Sequence, residues 1–417
     1  MFSTLNIRIG FFLSVRQIKR ASFWTTGLIV FVMVLTFLNL VVVSGILVGL
    51  IQGSVNAQRI KYTSDVIVSN LNDKNYIENS SEVINIIKSL PQVETISARY
   101  RLGGTLEANY QTRKETDKPN IASAQIVGID PAAEDNVTAI AKNIIEGKYL
   151  LSTDYDKIVV GSFLLKQYVP VDNPGFAALD KVSPGVKIRI RVNGIQHEVT
   201  VKGILKSKVQ DISRNAYMVD SQFRSMIGRS DGNVAEIAIK LKVGADPLAV
   251  REALIRSGVN KVAKVQTYAD AQPQFLKDIV QTFATLGNML SSIGLAVASI
   301  TIFIVIFVNA ITRRKFIGIL KGIGINGKAI EISYVFQSIF YAFCGSIIGL
   351  IVVYVMLVPF FIVHPIDFPF SDGILVAPIG QTIFRMGLLV LSTVIAGYIP
   401  ARMIVRKNTL DSILGRN

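Results

Sequence analysis

Long stretches of this chain carry no charge, and that absence constrains the fold more than any motif does. No Asp, Glu, Lys or Arg lies between Arg20 and Arg59, between Asp278 and Arg313, or between Glu331 and Asp367. A fourth apolar stretch, Gly380 to Ile399, contains only Arg385. A helix of about 20 residues crosses a hydrocarbon core of about 30 Å. Lipid offers no partner to backbone N–H and C=O groups, so each gap reads as a membrane helix, which satisfies its own. The pattern expects one span near the N-terminus and three near the C-terminus. The polar segment between the first two spans is far too long for a loop.

Composition agrees. The chain has 417 residues, 50% of them hydrophobic and 18% charged, with a mean hydropathy of +0.45; soluble domains carry about 25% charged residues. The net charge of +15 is concentrated beside the spans. Arg8, Arg16, Lys19 and Arg20 precede the first without an acid. Arg313, Arg314, Lys315, Lys321 and Lys328 stand against Glu331 alone, and Arg402, Arg406, Lys407 and Arg416 against Asp411. Short loops rich in Lys and Arg stay cytoplasmic. With four crossings all three basic segments fall on one side, and the large insert and the loop 359–378 fall on the other. Because the basic residues flank membrane spans, membrane lipid is an expected partner and nucleic acid is not.

The expected fold is an α-helical membrane protein with four transmembrane helices, one plus three, and a large extracytoplasmic α/β domain. An interfacial helix in the cytoplasmic segment 1–21 puts Leu5, Ile9, Phe12, Leu13 and Ile18 on an apolar face. The first span is 22–51; its apolar run exceeds the h-region of a signal peptide, so it reads as a retained anchor. The outer domain is 52–278. The second span is 279–312, a cytoplasmic loop 313–330, the third span 331–358, an external loop 359–378, the fourth span 379–401 and a cytoplasmic tail 402–417.

Within the outer domain, Asp65 to Ser69, Val93 to Tyr100 and Ala122 to Ile129 read as strands, with a helix over Ser81 to Leu90 that Pro91 stops. Ala235 to Val243, a helix from Pro247 to Ser257 and Lys261 to Thr267 repeat the β-α-β pattern. The two ends are expected to pair into one α+β subdomain. An inserted, mainly β subdomain spans about 145–225, with strands at Lys157 to Val160, Lys187 to Val192 and His197 to Ile204. Asn193-Gly194 is a hairpin signal. Gln111 to Asn120 is expected to be a mobile loop, and Tyr268 to Lys277 to lead helically into the second span.

Catalytic and metal chemistry find little support. Cys344 is the only cysteine, so no disulfide forms within one chain. His197 and His364 are far apart and lack Cys partners, which argues against zinc; His197 is expected on the solvent face of a strand. Gly322 to Lys328 fits the G-x-x-x-x-G-K spacing of a phosphate loop, but Ala329 stands where the magnesium-binding hydroxyl belongs and no strand precedes it. Gly45 with Gly49 and Gly345 with Gly349 are small-residue pairs that let helices approach closely. Asn39 and Asn309 are intramembrane polar residues expected to bond neighbouring helices. Arg385 lies near the outer end of its span and is expected to reach for the interface.

The sharpest motif follows the second span: Arg313, Arg314, Lys315, Phe316, Ile317, Gly318, Ile319, Leu320, Lys321, Gly322, Ile323, Gly324. Basic residues lead into apolar ones, which a cytoplasmic loop has reason to carry only if they bury against something. The run resembles the RRxEIGILKAIG signature of FtsX-like, MacB-type ABC transporter permeases, with Phe316 in place of the family's acid. The ending Ala396, Gly397, Tyr398, Ile399, Pro400, Ala401, Arg402, Met403, Ile404, Val405, Arg406 is similar to the family's AGxxPARxAAR; Thr409 and Ser412-Ile413-Leu414 depart from what normally follows. Gly128 to Pro131 and Ile158 to Ser162 resemble the family's outer domain, and 279–410 its permease region.

The resemblance implies a permease that is not itself an enzyme. An ABC ATPase subunit, which holds ATP and magnesium, docks on the loop 313–330; this chain binds no cofactor. The permease pairs with a second copy or a related permease in the cell membrane, both termini cytoplasmic. ATP-driven motion is relayed through the spans by mechanotransmission to an outer domain made of porter-like and inserted β subdomains. An amphiphilic substrate (a lipoprotein, lipid, peptide or drug) is exported or extracted from the outer leaflet. The alternative within the family is an FtsX-type transducer that activates a cell-wall hydrolase or sensor. A membrane-anchored receptor without an ATPase is the reading from outside it.

Overall fold

Where the charge gaps fall, four helices among the described residues are long and apolar enough to cross a membrane. They belong to a computed structural model that describes residues 4–114, 118–169, 177–364, 366–368, 371–373 and 375–406. Two compact units are distinguished: 1–51 with 277–367 and 372–417, and 52–276 with 368–371.

In the first unit, helix α1 (Thr4–Lys19) precedes the first apolar helix α2 (Phe23–Thr63). The later helices are α7 (Gln274–Thr312), α8 (Arg314–Gly322), α9 (Gly327–Val363) and α10 (Ile379–Val405). Between them lie the elements of the second unit, given below. A common core joins Met33, Phe37 and Val41 of α2, Ile302 and Ile306 of α7, Tyr334 and Tyr341 of α9, and Leu389 and Ala396 of α10. Two glycines set the closest approach. A side chain at Gly345 would overlap Met33, and one at Gly349 would overlap Phe37, so this pair seats α9 on α2 within one chain.

Helix α1 differs in part from expectation. Leu5 and Phe12 are exposed, as an interfacial face requires, but the stripe that α1 buries is polar and small: Asn6, Gly10, Ser14 and Gln17. Gly10 lies against Ile332, and Gln17 accepts a buried hydrogen bond from Gln337 of α9. In an apolar environment such a polar pair is stable only when mutually satisfied. Helix α2 runs past residue 51 to Thr63, through π-helical turns at Asn39–Val43 and Arg59–Thr63. Helix α7 begins at Gln274, because Pro273 disfavours helical geometry in the residue before it; Tyr268 to Ala271 form turns instead.

The second unit holds β1 (Val66–Asn70), α3 (Ser80–Ser89), β2 (Val93–Glu107), β3 (Ile121–Ile129), α4 (Pro131–Thr138), β4 (Ile144–Gly147), β5 (Lys157–Gly161), β6 (Lys187–Val192), β7 (Ile195–Leu205), β8 (Asn215–Val219), α5 (Asp220–Met226), β9 (Glu236–Leu241), α6 (Pro247–Arg256) and β10 (Ala263–Thr267). Strands order β10-β1-β9-β2 and all pair antiparallel. With α3 and α6 this is a split β-α-β arrangement. Its core is Val66, Val68, Val83, Ile87, Ile237, Ile239, Val250 and Leu254. The N-caps Asp130 and Asp246 each precede a Pro and accept backbone N–H bonds, which fixes the starts of α4 and α6.

Strand β2 is longer than its sequence pattern suggests, and it serves two sheets. Val93–Arg99 pairs with β9, whereas Tyr100–Glu107 pairs with β3 and Thr105–Glu107 with β6. From there β2-β3-β8-β5-β7-β6 returns to β2, closing a six-stranded barrel. Leu106, Ile126, Ile158, Val160, Ile188, Ile190, Val201, Met218 and Phe223 belong to its core cluster. Closure leaves these strands without free edges, and it takes in β2 and β3, which precede residue 145. Asn193 and Gly194 both have positive φ and join β6 to β7 as a two-residue hairpin. His197 is half-buried rather than solvent-facing, its Nε2 2.9 Å from the Met226 carbonyl. Of the segment Gln111 to Asn120, residues 115–117 lie outside the described residues. Its flanks are pinned at Asn109, which accepts from the N–H of Arg113 (2.9 Å) and, through Oδ1, from that of Asn120 (3.0 Å).

Candidate functional site

Helix α7 ends at Thr312, and Arg313 turns the chain into α8. A nine-residue helix is marginal alone, so packing must hold it. Ile317, Gly318 and Leu320 are buried, and Ile317 and Leu320 join the same core as Ile404 and Val405 of α10. Each fully buried aliphatic side chain contributes about 1.5–3 kcal/mol. The stop is a glycine turn. Gly324 has φ +94°, its N–H donates to the Lys321 carbonyl (3.0 Å), and the Ile325 N–H reaches back to Leu320 (3.0 Å). Asn326 then caps α9 by accepting from the Lys328 N–H at 3.0 Å. Gly322 thus closes one helix and Lys328 opens the next, with no strand before them.

The opposite face of α8 carries Phe316 (49% exposed), Ile319 (52%) and Ile323 (71%). Their spacing of three and four puts them in one row. Lys315 is exposed beside them, and Arg313 and Arg314 are partly exposed. The surface is thus an apolar ridge with a basic margin.

The terminal motif supports that ridge from behind. Gly397, Pro400 and Ala401 are buried on α10, while Arg402 and Arg406 are exposed. A Cβ at Gly397 would collide with Ser338 Oγ, so glycine allows α10 to lie close to α9. Pro400 removes one helical hydrogen bond, which membrane helices tolerate where neighbours pack closely. The Arg402 guanidinium lies 5.7 Å from the Tyr398 ring centre. Lys321 Nζ donates to the Val405 carbonyl at 2.9 Å, tying the two motifs together. Thr409 and Ser412-Ile413-Leu414 lie outside the described residues.

A family model for the FtsX-like permease C-terminal region matches residues 288–409. One for the MacB-like periplasmic core domain matches 26–257, more than half of the chain. The chain belongs to the FtsX-like, MacB-type permease family. A curated relative, the macrolide export ATP-binding/permease protein MacB of Bdellovibrio bacteriovorus, is 25% identical over 242 residues, covering 55% of this chain and 35% of the relative. The chain spans about a third of that relative's length. Among solved structures, the periplasmic region of MacB from Actinobacillus actinomycetemcomitans is 14% identical with a TM-score of 0.35, covering 54% of this chain and 95% of that one. The extracellular domain of the noncanonic ABC-type transporter YknZ from Gram-positive bacteria is 14% identical with a TM-score of 0.33, covering 49% and 99%.

Two features of this permease were not legible beforehand. Arg385, expected to reach for the interface, is bonded to a neighbouring helix. Its guanidinium turns to α2, donating to the Leu40 carbonyl at 2.5 Å and to Ser44 Oγ. In the second unit, Arg99 is buried (2% exposed) and clamps Glu134 with two hydrogen bonds of 2.7 and 2.8 Å. It also donates to Glu236 and to the Tyr62 carbonyl, both at 2.9 Å, while Arg101 bonds Glu236 at 2.7 Å. Burial alone would raise the Glu236 pKa, but Arg101 and Arg99 override it and hold it at about 2. The only sequence signal was an Arg-x-Arg pair inside a strand.

Proposed function

We propose that this permease is the membrane-spanning part of an ABC transporter and that α8 is where a separate ATPase docks. The observation that carries this is the ridge of Phe316, Ile319 and Ile323. Three large apolar side chains stand exposed in one row on a helix whose other face is anchored in the core. An apolar ridge with a basic margin suits a partner surface. Arg313, Arg314, Lys315, Phe316, Ile319 and Lys321 form or flank the docking face. Ile317, Gly318, Leu320 and Gly324 shape it, and Gly397, Pro400, Ala401, Arg402 and Arg406 belong to its support.

In this reading the ATPase supplies ATP and magnesium. A second permease completes the assembly, and both termini lie in the cytoplasm with the second unit outside. Nucleotide-driven movement of α8 is relayed through the helices to export or extract an amphiphile. The curated relative's name joins macrolide export to ATP binding and permease in one protein, which supports the class of partner and leaves the substrate open. The test is whether an ABC ATPase co-purifies with this chain. Ile319→Asp and Phe316→Asp should abolish association while membrane insertion persists; normal association would refute the docking face. Stimulation of ATP hydrolysis by amphiphiles in nanodiscs separates a transporter from the FtsX-type transducer, which should not respond.

A further inference from the structure

Among the described residues, a cavity of the first unit lies between α2, α7 and α10, with a volume of about 370 Å³. That is within the range of small-molecule sites, about 300–1,000 Å³. Its walls are mainly apolar, with Leu47, Val48, Phe283 and Leu388 among them, and Arg385 stands in the lining with Asn288.

Three observations converge there. First, the cavity lining contains no Asp or Glu. The acceptors Arg385 does have, a carbonyl and a hydroxyl, are neutral. A guanidinium has five donors, so its positive charge remains uncompensated in an apolar setting, which is costly unless an anion joins it. Second, Leu40, which accepts from Arg385, lies in the π-helical turn Asn39–Val43 of α2. Such turns are rare and recur at functional sites. Third, the depth fits a headgroup. Ser44 lies 21 residues beyond Phe23, about 31 Å along α2, and a hydrocarbon core is about 30 Å thick. Arg385 lies six residues into α10, about 9 Å from its start. Two helices therefore place the guanidinium at the edge of the hydrocarbon, at the end of the bundle away from α8.

We infer that this cavity binds one anionic phospholipid, its phosphate on Arg385 and an acyl chain along the wall of α2 and α7. A phosphate oxygen offers the charge-assisted acceptor that the guanidinium lacks, and the apolar wall accounts for the chain. The inference needs the four helices to cross a bilayer. It does not need an ATPase to dock on α8.

The test uses the full chain purified in a zwitterionic detergent and exposed to phosphatidylglycerol or phosphatidylcholine with identical chains, bound lipid being counted by native mass spectrometry. The wild type should retain phosphatidylglycerol about tenfold better. Arg385→Gln should drop it to the phosphatidylcholine level, whereas Arg385→Lys should keep most of it. Ala284→Trp, which fills the cavity and leaves Arg385 in place, should displace both lipids, and it carries the test if Arg385→Gln fails to fold. Equal retention of the two lipids by the wild type would overturn the inference. So would undiminished phosphatidylglycerol in Arg385→Gln or Ala284→Trp. Competition by inorganic phosphate at millimolar concentration would likewise overturn it, because the site would then read only the anion. Arg385→Gln should still co-purify with the ATPase, so failure here is distinguishable from failure of the docking face.

Discussion

The Lys321 ammonium donates a hydrogen bond of 2.9 Å to the carbonyl of Val405, 84 positions along the chain. Val405 ends α10, where carbonyls have no helical partner and the helix dipole favours a cation. The short helix α8 is thereby fixed to the last span as well as to the turn that follows it. Lys321→Met keeps the packing of the aliphatic stem and removes the charge. We expect α8 to open locally at a cost of about 1.4 kcal/mol, so the amides of residues 317–323 should exchange about tenfold faster. Unchanged exchange would show that the apolar contacts alone hold the helix.

Adjacent positions on α8 should respond in opposite ways. Ile319 is half exposed and Leu320 is buried. Ile319→Asp should change thermal stability by no more than about 0.5 kcal/mol and abolish ATPase binding. Leu320→Asp buries a carboxylate in an apolar core and should cost about 3–5 kcal/mol, visible as a lower melting point in detergent before any partner is added.

Gly397 and Gly387 lie on the same helix, ten residues apart. A side chain at 397 meets Ser338, whereas nothing lies within 4 Å of the Cβ position at 387. Gly397→Leu should prevent α10 from seating and lower the melting point sharply; Gly387→Leu should leave it unchanged.

The buried charge cluster predicts acid sensitivity. Arg101 and Arg99 hold the Glu236 carboxyl at about 2 in spite of its burial, and Lys202 and Lys157 together with the Leu151 N–H hold Asp154, also against its burial, at about 2. Both pKa values are depressed on folding, so the unfolded chain binds more protons below the ordinary carboxylate range. Their stabilisation is complete above about pH 4.5 and is lost as pH falls toward 2. Melting curves of the full chain should shift down over that window, and Glu236→Gln should flatten the dependence. Arg99→Met should cost about 3–5 kcal/mol at neutral pH, because it strands Glu134 without its main partner.

Much of this architecture was legible because lipid imposes a simple rule. A span cannot carry charge cheaply, so the gaps before Arg59, Arg313 and Asp367 located the helices. The split β-α-β unit was legible from alternation and from Pro91 and Pro247. What escaped depends on partners far apart in sequence. Strand β2 was read only from Val93 to Tyr100, yet it runs on into a different sheet, and the pairing of Thr105–Glu107 with β6 closes the barrel. The stripe Asn6, Gly10, Ser14 and Gln17 escaped because nothing in it signals that Gln337 waits opposite. Arg385 was expected to reach for the interface, and nothing on its own helix signals that the Leu40 carbonyl and Ser44 Oγ of α2 stand beside it.

The account rests on α8 and the second unit lying on opposite sides of a membrane, and labelling tests that directly. Single cysteines at Ile319 and at Tyr155, both exposed side chains, would be introduced into a Cys344→Ser background and treated in intact cells, or in spheroplasts if an outer membrane is present, with a membrane-impermeant maleimide. Position 155 should label at once and position 319 only after permeabilisation. Labelling of both positions in sealed cells would contradict the account.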